Sequence, residues 1–444
     1  MTRSRRRLRP GGAIVALLAA AVAAPAALAQ APASPASPVV PFDTSITLFG
    51  EVRTRGEAER AGAGGRSDAF TLLRTRVGAR ARLGAGTRVL VEVQDARVFG
   101  EERSTIADGA ADAFDLHQGW LEIGGRWRGA DVAVRAGRQE IALGNERLVG
   151  AAGWTNFGRA FDGARLLLSR PGQPAGAWQA SAFGATLEER GRRYGAIAPE
   201  AAPRADQSLV GAFATNGTLE LLAVHDRGAH FRTVADADRT TAYARLRTPA
   251  VAGVRADVEG AWQTGTQSRA VADAPAVTQD VRAWFAGARL SREVRVGVPA
   301  TVTLGADWLS GDTDPADGRY GAFNTLYATN HKWYGTMDLL LDPAGATADL
   351  GLVDAVAGAA LTLSPRATLR ADAHHFRLAA EHPTAGRRVL GEELDLTLPI
   401  RVSPAGAVEL GYSLFRPAAA GATLGLGAEG RLRHWGYAQL RASF

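Results

Sequence analysis

The stretch Leu73-Arg74-Thr75-Arg76-Val77-Gly78-Ala79-Arg80-Ala81-Arg82-Leu83 puts apolar or neutral residues at odd positions and four arginines at even ones. Successive side chains of a strand point to opposite faces, so this reads as a strand with one greasy face and one guanidinium face. The same period of two recurs along the chain. Ala256, Val258 and Trp262 alternate with Arg255, Asp257, Glu259 and Gln263, and Leu369, Ala371 and Ala373 with Thr368, Arg370, Asp372 and His374. Val302, Leu304, Ala306 and Trp308, then Leu394, Leu396 and Leu398, then Val408, Leu410, Tyr412 and Leu414 repeat it.

A soluble sandwich also alternates, with its apolar faces buried between two sheets. Three features favour a barrel that crosses a membrane. Long connections near residues 56–69, 99–113, 141–160, 187–207, 227–240, 265–280, 310–351, 378–389 and 417–432 alternate with short ones near 84–86, 124–130, 169–177, 215–218, 247–253, 291–300, 363–366 and 402–406. Nine long and eight short connections join 18 strands, and an even count with short turns on one rim and long loops on the other is the outer-membrane pattern, both termini lying in the periplasm. The chain also ends in a strand, Trp435 to Phe444, with Phe444, Ala442, Leu440 and Ala438 on one face. A terminal aromatic there is the kind of signal read by the outer-membrane assembly machinery. Lastly, the polar faces carry many charges of both signs, which a packed core could hold only at a large desolvation cost; the charged face is expected to be wet.

The rest of the composition agrees. Residues Met1 to Arg9 hold five arginines and no acid, the apolar run Ala13 to Ala23 follows, and Ala27-Leu28-Ala29 supplies a small-residue end. This predicts a secretory signal peptide over 1–29, cleaved after Ala29. The remaining 415 residues carry 46 basic and 45 acidic side chains, so the sequence pI near 10.1 is no argument for nucleic-acid binding. No later stretch approaches the roughly 18 apolar residues of a spanning helix. Residues 30–44 are an Ala/Pro/Ser-rich tail with no room for a plug domain, and 45–444 form the barrel. An exported chain without cysteine cannot be stapled by disulfides and must rely on a core or a closed sheet.

Two places depart from simple alternation. In Asp131 to Glu140 the apolar set Val132, Val134 and Ala136 shares parity with Arg138, so either a bulge intervenes or Arg138 lies beyond the membrane band. Trp333 to Leu341 could pass for a strand, but a nineteenth would break the even count, and it is placed within the longest connection.

Two segments carry more than a pattern. One is Gly137-Arg138-Gln139-Glu140-Ile141-Ala142-Leu143-Gly144-Asn145-Glu146-Arg147-Leu148-Val149-Gly150, continuing through Trp154-Thr155-Asn156 and Gly158-Arg159-Ala160-Phe161-Asp162-Gly163-Ala164-Arg165. The other is Leu326-Tyr327-Ala328-Thr329-Asn330-His331-Lys332-Trp333-Tyr334-Gly335 with Met337-Asp338. Both resemble the alginate export family of outer-membrane barrels. The resemblance implies an 18-stranded barrel with a charged pore and, in the founding members, secretion of an anionic polysaccharide.

The first segment sits where a channel would be narrowest. Arg138, Arg147, Arg159 and Arg165 lie among Glu140, Glu146 and Asp162, and a guanidinium that stays charged and meets carboxylates in bidentate geometry suits a polyuronate path. The alternative is a salt-bridge network that pins the loop inside the barrel, and Asn156, Gly158 and Gly163 read as structural. In the second segment His331 and Lys332 stand beside Trp333 and Tyr334, a combination suited to sugar stacking with carboxylate pairing, or to rings packed on the barrel wall. Arg53, Arg55, Arg74, Arg76, Arg80 and Arg82 are predicted to face the lumen from the first two strands, and Arg370 from a later one. Glu51, Glu92, Asp257, Glu259, Asp307, Asp372 and Asp395 face it too.

No thiolate metal site is possible, and the neighbours His374 and His375 point to opposite faces. No phosphate loop or Gly-x-Ser-x-Gly elbow is present. An outer-membrane enzyme would need a rim nucleophile or base, for which His225-Asp226 and His230 are the nearest candidates. No cofactor is expected. The expected partners are outer-membrane lipids and lipopolysaccharide, the assembly machinery through the strand ending at Phe444, an anionic saccharide, and periplasmic polymer-secretion proteins. The expectation is a passive channel in a Gram-negative outer membrane, with a general or anion-preferring porin for small solutes as the alternative.

Overall fold

The computed structural model describes residues 44–60, 67–99, 114–170, 176–188, 207–228, 234–271, 274–314, 316–384 and 386–444. The expected signal peptide, the tail up to residue 43 and His230 lie outside them. Eighteen long strands follow one another: β1 Thr44–Arg60, β2 Ser67–Leu83, β3 Thr87–Phe99, β4 Asp115–Trp127, β5 Ala130–Gln139, β6 Phe161–Ser169, β7 Gln179–Glu188, β8 Gln207–Thr215 and β9 Leu219–Gly228. Then come β10 Val234–Arg247, β11 Val254–Val271, β12 Ala274–Val296, β13 Val298–Leu309, β14 Leu352–Ser364, β15 Ala367–Leu378, β16 Val389–Arg401, β17 Gly406–Pro417 and β18 Arg433–Ser443. Each pairs antiparallel with the next, and β18 pairs with β1 from Arg60↔His434 to Glu51↔Ser443, closing the barrel and leaving no open edge.

The strands are longer than hydropathy alone suggests. The connection expected over 265–280 shrinks to residues 272–273, the one over 291–300 to Gly297 at a φ of 74°, and β1 and β2 extend to Arg60 and Ser67. Hydropathy alternates only where the outer face meets lipid. Above that band β11 and β12 carry Gln267 and Gln279 toward the interior, both buried, and the ladder continues without an apolar signal. Trp333 to Leu341 forms no strand; the loop from 310 to 351 contains only the two-residue strand Arg319–Tyr320, parallel to β12.

Parity assigns the faces. Val77, Val258, Trp262, Leu304, Trp308, Leu394 and Leu410 are exposed on the outer surface, while Arg74, Glu259, Asp307 and Asp395 are buried within. The pairing of β5 with β4 is continuous from Gly119↔Arg138 to Trp127↔Ala130, so no bulge intervenes and Arg138 lies outside the barrel at its extracellular end.

The interior corrects one expectation. The extracellular half of the lumen is not a wet charged wall. The loops over 140–160 and 310–351 fold inward and build a core around Ile141, Leu148, Phe161, Phe285, Phe323, Tyr334, Leu340 and Phe376. Charged groups of the wall are sequestered against these loops, Asp307 and Asp354 being 1 % and 0 % exposed, and are compensated by ion pairs and hydrogen bonds in place of water.

Candidate channel constriction and mouths

The two segments singled out in the sequence interlock inside the barrel. Their backbones meet in parallel at Val149 and Tyr327: Tyr327 N donates to Leu148 O at 2.9 Å, Gly150 N to Tyr327 O at 2.9 Å and Thr329 N to Glu146 O at 3.1 Å. The approach is close enough that a Cβ on Gly150 would stand 2.3 Å from Thr329 Oγ1. Glu146 accepts from Thr329 Oγ1 at 2.5 Å, from Ala151 N at 3.1 Å and from Lys332 Nζ. Burial pushes the Glu146 carboxyl up, but the bonds from Lys332 and Thr329 outweigh it and hold the group below its ordinary range.

Arg147 is the anchor of the first segment. Its guanidinium pairs with Glu259 at 3.0 Å and Asp307 at 2.7 Å, donates to Tyr334 Oη at 3.3 Å and lies 3.7 Å over the Trp333 ring. Burial alone would lower its pKa, and Asp307 with Glu259 more than reverses that, so it stays charged. Arg159 Nη1 donates to Gly150 O at 3.2 Å, Ala328 O at 3.4 Å and the Tyr327 carbonyl, with no carboxylate at ion-pair distance among the described residues.

Trp154 ties the loops to the wall. Its indole is sandwiched between the Arg55 guanidinium at 3.7 Å and the His331 ring at 4.0 Å. Asp338 accepts from Trp154 Nε1 at 3.1 Å and pairs with His331 Nδ1 at 2.6 Å. Beneath it, three wall arginines grasp the loop backbone. Arg53 donates to Gly153 O at 2.8 Å and Thr155 O at 2.9 Å, Arg55 to Trp154 O at 2.9 Å, and Arg74 to Gly153 O at 3.1 Å. Glu51 holds Arg74 at 2.6 Å, and Arg76 bridges Gln94 at 2.7 Å and Glu140 at 3.2 Å, where His117 also bonds Glu140 at 2.7 Å. Asn156 Nδ2 donates to Arg97 O at 3.0 Å, fastening the loop to β3.

On β16, Glu393 accepts from Met337 N at 2.9 Å, and Asp395 accepts from Thr336 Oγ1 at 2.6 Å, so the second segment is held by the wall as well. Asp395 was expected to face the lumen; Glu393, with His117, Trp154 and Asp338, was not expected as part of the site. Only the resemblance at Trp154 and Asp338 gave a signal for them.

The expected site residues therefore divide. Arg74, Glu140, Arg147, Asn156, Arg159, His331 and Lys332 meet in the interlock together with Arg76. The rings of Trp333 and Tyr334 are packed against the interior, as the structural alternative anticipated, and both faces of Trp154 are covered. Arg138 and Asp162 are corrected: they pair at 3.0 Å on the outer face, where Arg138 also reaches Asp115 at 3.3 Å, and face no lumen. Arg165 does face it. Its only bond among the described residues is to Ser181 Oγ at 3.4 Å, while its register partner Arg135 takes Glu122 at 2.6 Å, which Arg88 shares at 2.9 Å. Arg370 and Asp372 lie lower on β15, Asp372 in register with Asp395. His225 points outward and Asp226 inward to Arg239, which separates the two residues offered for an enzyme.

The mouths differ from the middle. At the rim of short turns, Arg80, Arg82, Arg126, Arg295, Arg370, Arg401 and Arg441 are exposed on inward-facing positions, with no carboxylate at ion-pair distance among the described residues. Of the acids there, Glu293 is taken up by Arg255 at 3.2 Å and Asp257 by Arg245 at 2.5 Å, Glu409 accepts from Tyr437 Oη at 2.9 Å, and the exposed Asp131 stands in register opposite Arg126.

The sequence profile described as alginate export matches residues 45–427, nearly the whole barrel. The chain belongs to the alginate export family. Its fold is shared with outer-membrane porins of known structure at low identity. OccAB1 of Acinetobacter baumannii is 13 % identical with a TM-score of 0.58, covering 90 % of this chain and 96 % of its own. The BenF-like porin of Pseudomonas fluorescens Pf-5 is 10 % identical at 0.56, covering 91 % and 99 %. OprD of Pseudomonas aeruginosa is 12 % identical at 0.53, covering 90 % and 95 %. No curated protein matches the chain. The family and the barrel place the chain in the Gram-negative outer membrane as a channel, with the short turns on the periplasmic rim.

Proposed function

We propose that the channel conducts an anionic, alginate-like polysaccharide or its oligomers by passive diffusion from the periplasm outward. The observation that carries this reading is the periplasmic mouth. Its unpaired arginines form a wet cationic vestibule, whereas the charges deeper in the lumen are largely paired. Such a vestibule concentrates anions on its own side and raises their entry rate, and a guanidinium matches a carboxylate in geometry as well as charge. Above it Arg165 offers a further cation without a carboxylate partner. Acids interleaved with the lumen arginines temper their hold on an anion, which conduction requires.

The test is the current through the refolded chain in a planar bilayer, with the reversal potential in a KCl gradient and oligouronates added to one side at a time. Anion selectivity, with block stronger from the periplasmic side, is the expected result. A large, weakly selective current indifferent to oligouronates would overturn it. The packed core around Tyr334 and Leu340 narrows the extracellular half and favours a second reading, an anion-preferring porin for small solutes. That reading expects selective current, permeation by monomeric carboxylates, and no block by longer oligouronates.

A further inference from the structure

The outer surface also carries charge that the channel does not use. On β14–β17 an apolar groove of about 760 Å³ is lined by Leu304, Ala355, Ala357, Ala373, Leu394 and Leu414. Small side chains on β14 and β15 make the concavity, and larger ones on β13, β16 and β17 wall it. At its extracellular end His375, Glu392 and Arg416 stand in one register row across β15, β16 and β17, and Arg377 lies two residues beyond His375 on β15. Glu392 is engaged by His375 at 3.4 Å. Arg377 and Arg416 are exposed and have no carboxylate at ion-pair distance among the described residues. Adjacent strands are about 4.8 Å apart and residues about 3.4 Å apart along a strand, so the two arginines cap the groove from backbone positions about 12 Å apart.

We propose that this groove binds the phosphorylated, multiply acylated glycolipid of the outer leaflet, lipopolysaccharide, with its acyl chains along the alanine floor and its phosphates on Arg377 and Arg416. Charge complementarity selects this occupant. Two unpaired arginines at the extracellular edge of the lipid band call for anionic groups at that depth, and phosphate pairs with guanidinium in bidentate, charge-assisted bonds. A second copy of the chain would bring its own arginines to the same cap if it used the same face, and like charges repel there. A second outer concavity of about 820 Å³, lined by Ala180, Ala182, Ala212, Ala214 and Ala244, has no charged residue at all and fits acyl chains without a headgroup. It serves as an internal control.

The experiment titrates purified lipid A, and separately lipid A without its phosphates, into the refolded full chain and reads binding by native mass spectrometry. Heat-modifiable migration checks that every variant is folded. Lipid A should bind the native chain, with the dephosphorylated form about tenfold weaker. The double variant Arg377→Gln with Arg416→Gln should lose that discrimination. Ala373→Phe should weaken both lipids by filling the floor, and it keeps the test alive should the double variant misfold. Equal binding of both lipids to the native chain, unchanged discrimination in the double variant, or self-association through this face in analytical ultracentrifugation would each overturn the proposal.

Discussion

The indole of Trp154 lies flat on the imidazole of His331, with centroids 4.0 Å apart and planes 6° from parallel, so the two loops inside the barrel are joined ring to ring. Asp338 bonds both rings, and Arg55 covers the other indole face. Stacked rings and a guanidinium over an indole contribute about 1 kcal/mol each beyond the area they bury. Trp154→Ala should therefore loosen the interlock without unfolding the strands. Single-channel recording should show larger and noisier current, while the heat-modifiable barrel persists.

Arg147 makes a sharper case. Glu259 and Asp307 are both buried, and Arg147 is their closest shared countercharge; Arg289 reaches Asp307 at 3.0 Å but Glu259 only at 3.6 Å. Arg147→Met should leave one buried carboxylate undercompensated and cost about 3 kcal/mol, as removal of one partner from a buried pair does. Arg147→Lys should recover only part of this, because one ammonium cannot reproduce the fork that meets Glu259 while stacking on Trp333. Urea unfolding of the refolded barrel measures both.

The Glu146 contact carries a pH dependence of known sign. Its native pKa lies below the ordinary 4.5, because the bonds from Lys332 and Thr329 exceed the effect of burial. A depressed carboxyl contributes stability that is complete above the ordinary value and is lost as pH falls through the native one. The Glu146 contribution to the interlock should thus be unchanged between pH 7 and 5 and be lost only in more acidic solution. Tryptophan fluorescence of the refolded chain should follow that transition, and Glu146→Gln should remove it from the profile.

How much of this was legible depends on what hydropathy can record. Leu73 to Leu83 and Val302 to Trp308 displayed their faces because one face meets lipid and the other does not. Arg138 shared parity with Val134, which pointed it outward, yet the family motif drew it into the expected substrate path. The ends of β11 and β12 could not be placed, because Gln267 and Gln279 are buried in the interior and their outer neighbours lie above the lipid, where no apolar signal exists. The meeting of Glu146 with Lys332, or of Trp154 with His331, leaves no periodic trace either. The family motifs marked both loops as special, but contact between distant loops is a property of tertiary packing. The wet wall was expected because solvation is the simplest way to keep charges in a lumen. In the upper half pairing replaced water, and only the periplasmic mouth kept it.

That mouth supplies the last prediction. Arg80 and Arg82 face inward at the periplasmic end of β2, exposed and without a carboxylate partner among the described residues. Exposed charges act over about a Debye length, roughly 10 Å at 0.1 M salt, so their influence on entering anions should be strong in dilute electrolyte and fade as salt rises. Arg80→Gln with Arg82→Gln should shift the reversal potential in a KCl gradient toward the unselective value, with the larger shift at low salt. Block by oligouronates from the periplasmic side should weaken through a slower association rate, since a rim charge governs encounter more than residence. Arg138→Gln removes an arginine just as conspicuous in the family motif, yet its partners Asp115 and Asp162 lie on the outer face. It should leave both readings unchanged. If Arg138→Gln altered selectivity as much as the vestibule pair, the current would not be under the control of the periplasmic mouth, and the anion path would have to be sought elsewhere in the barrel.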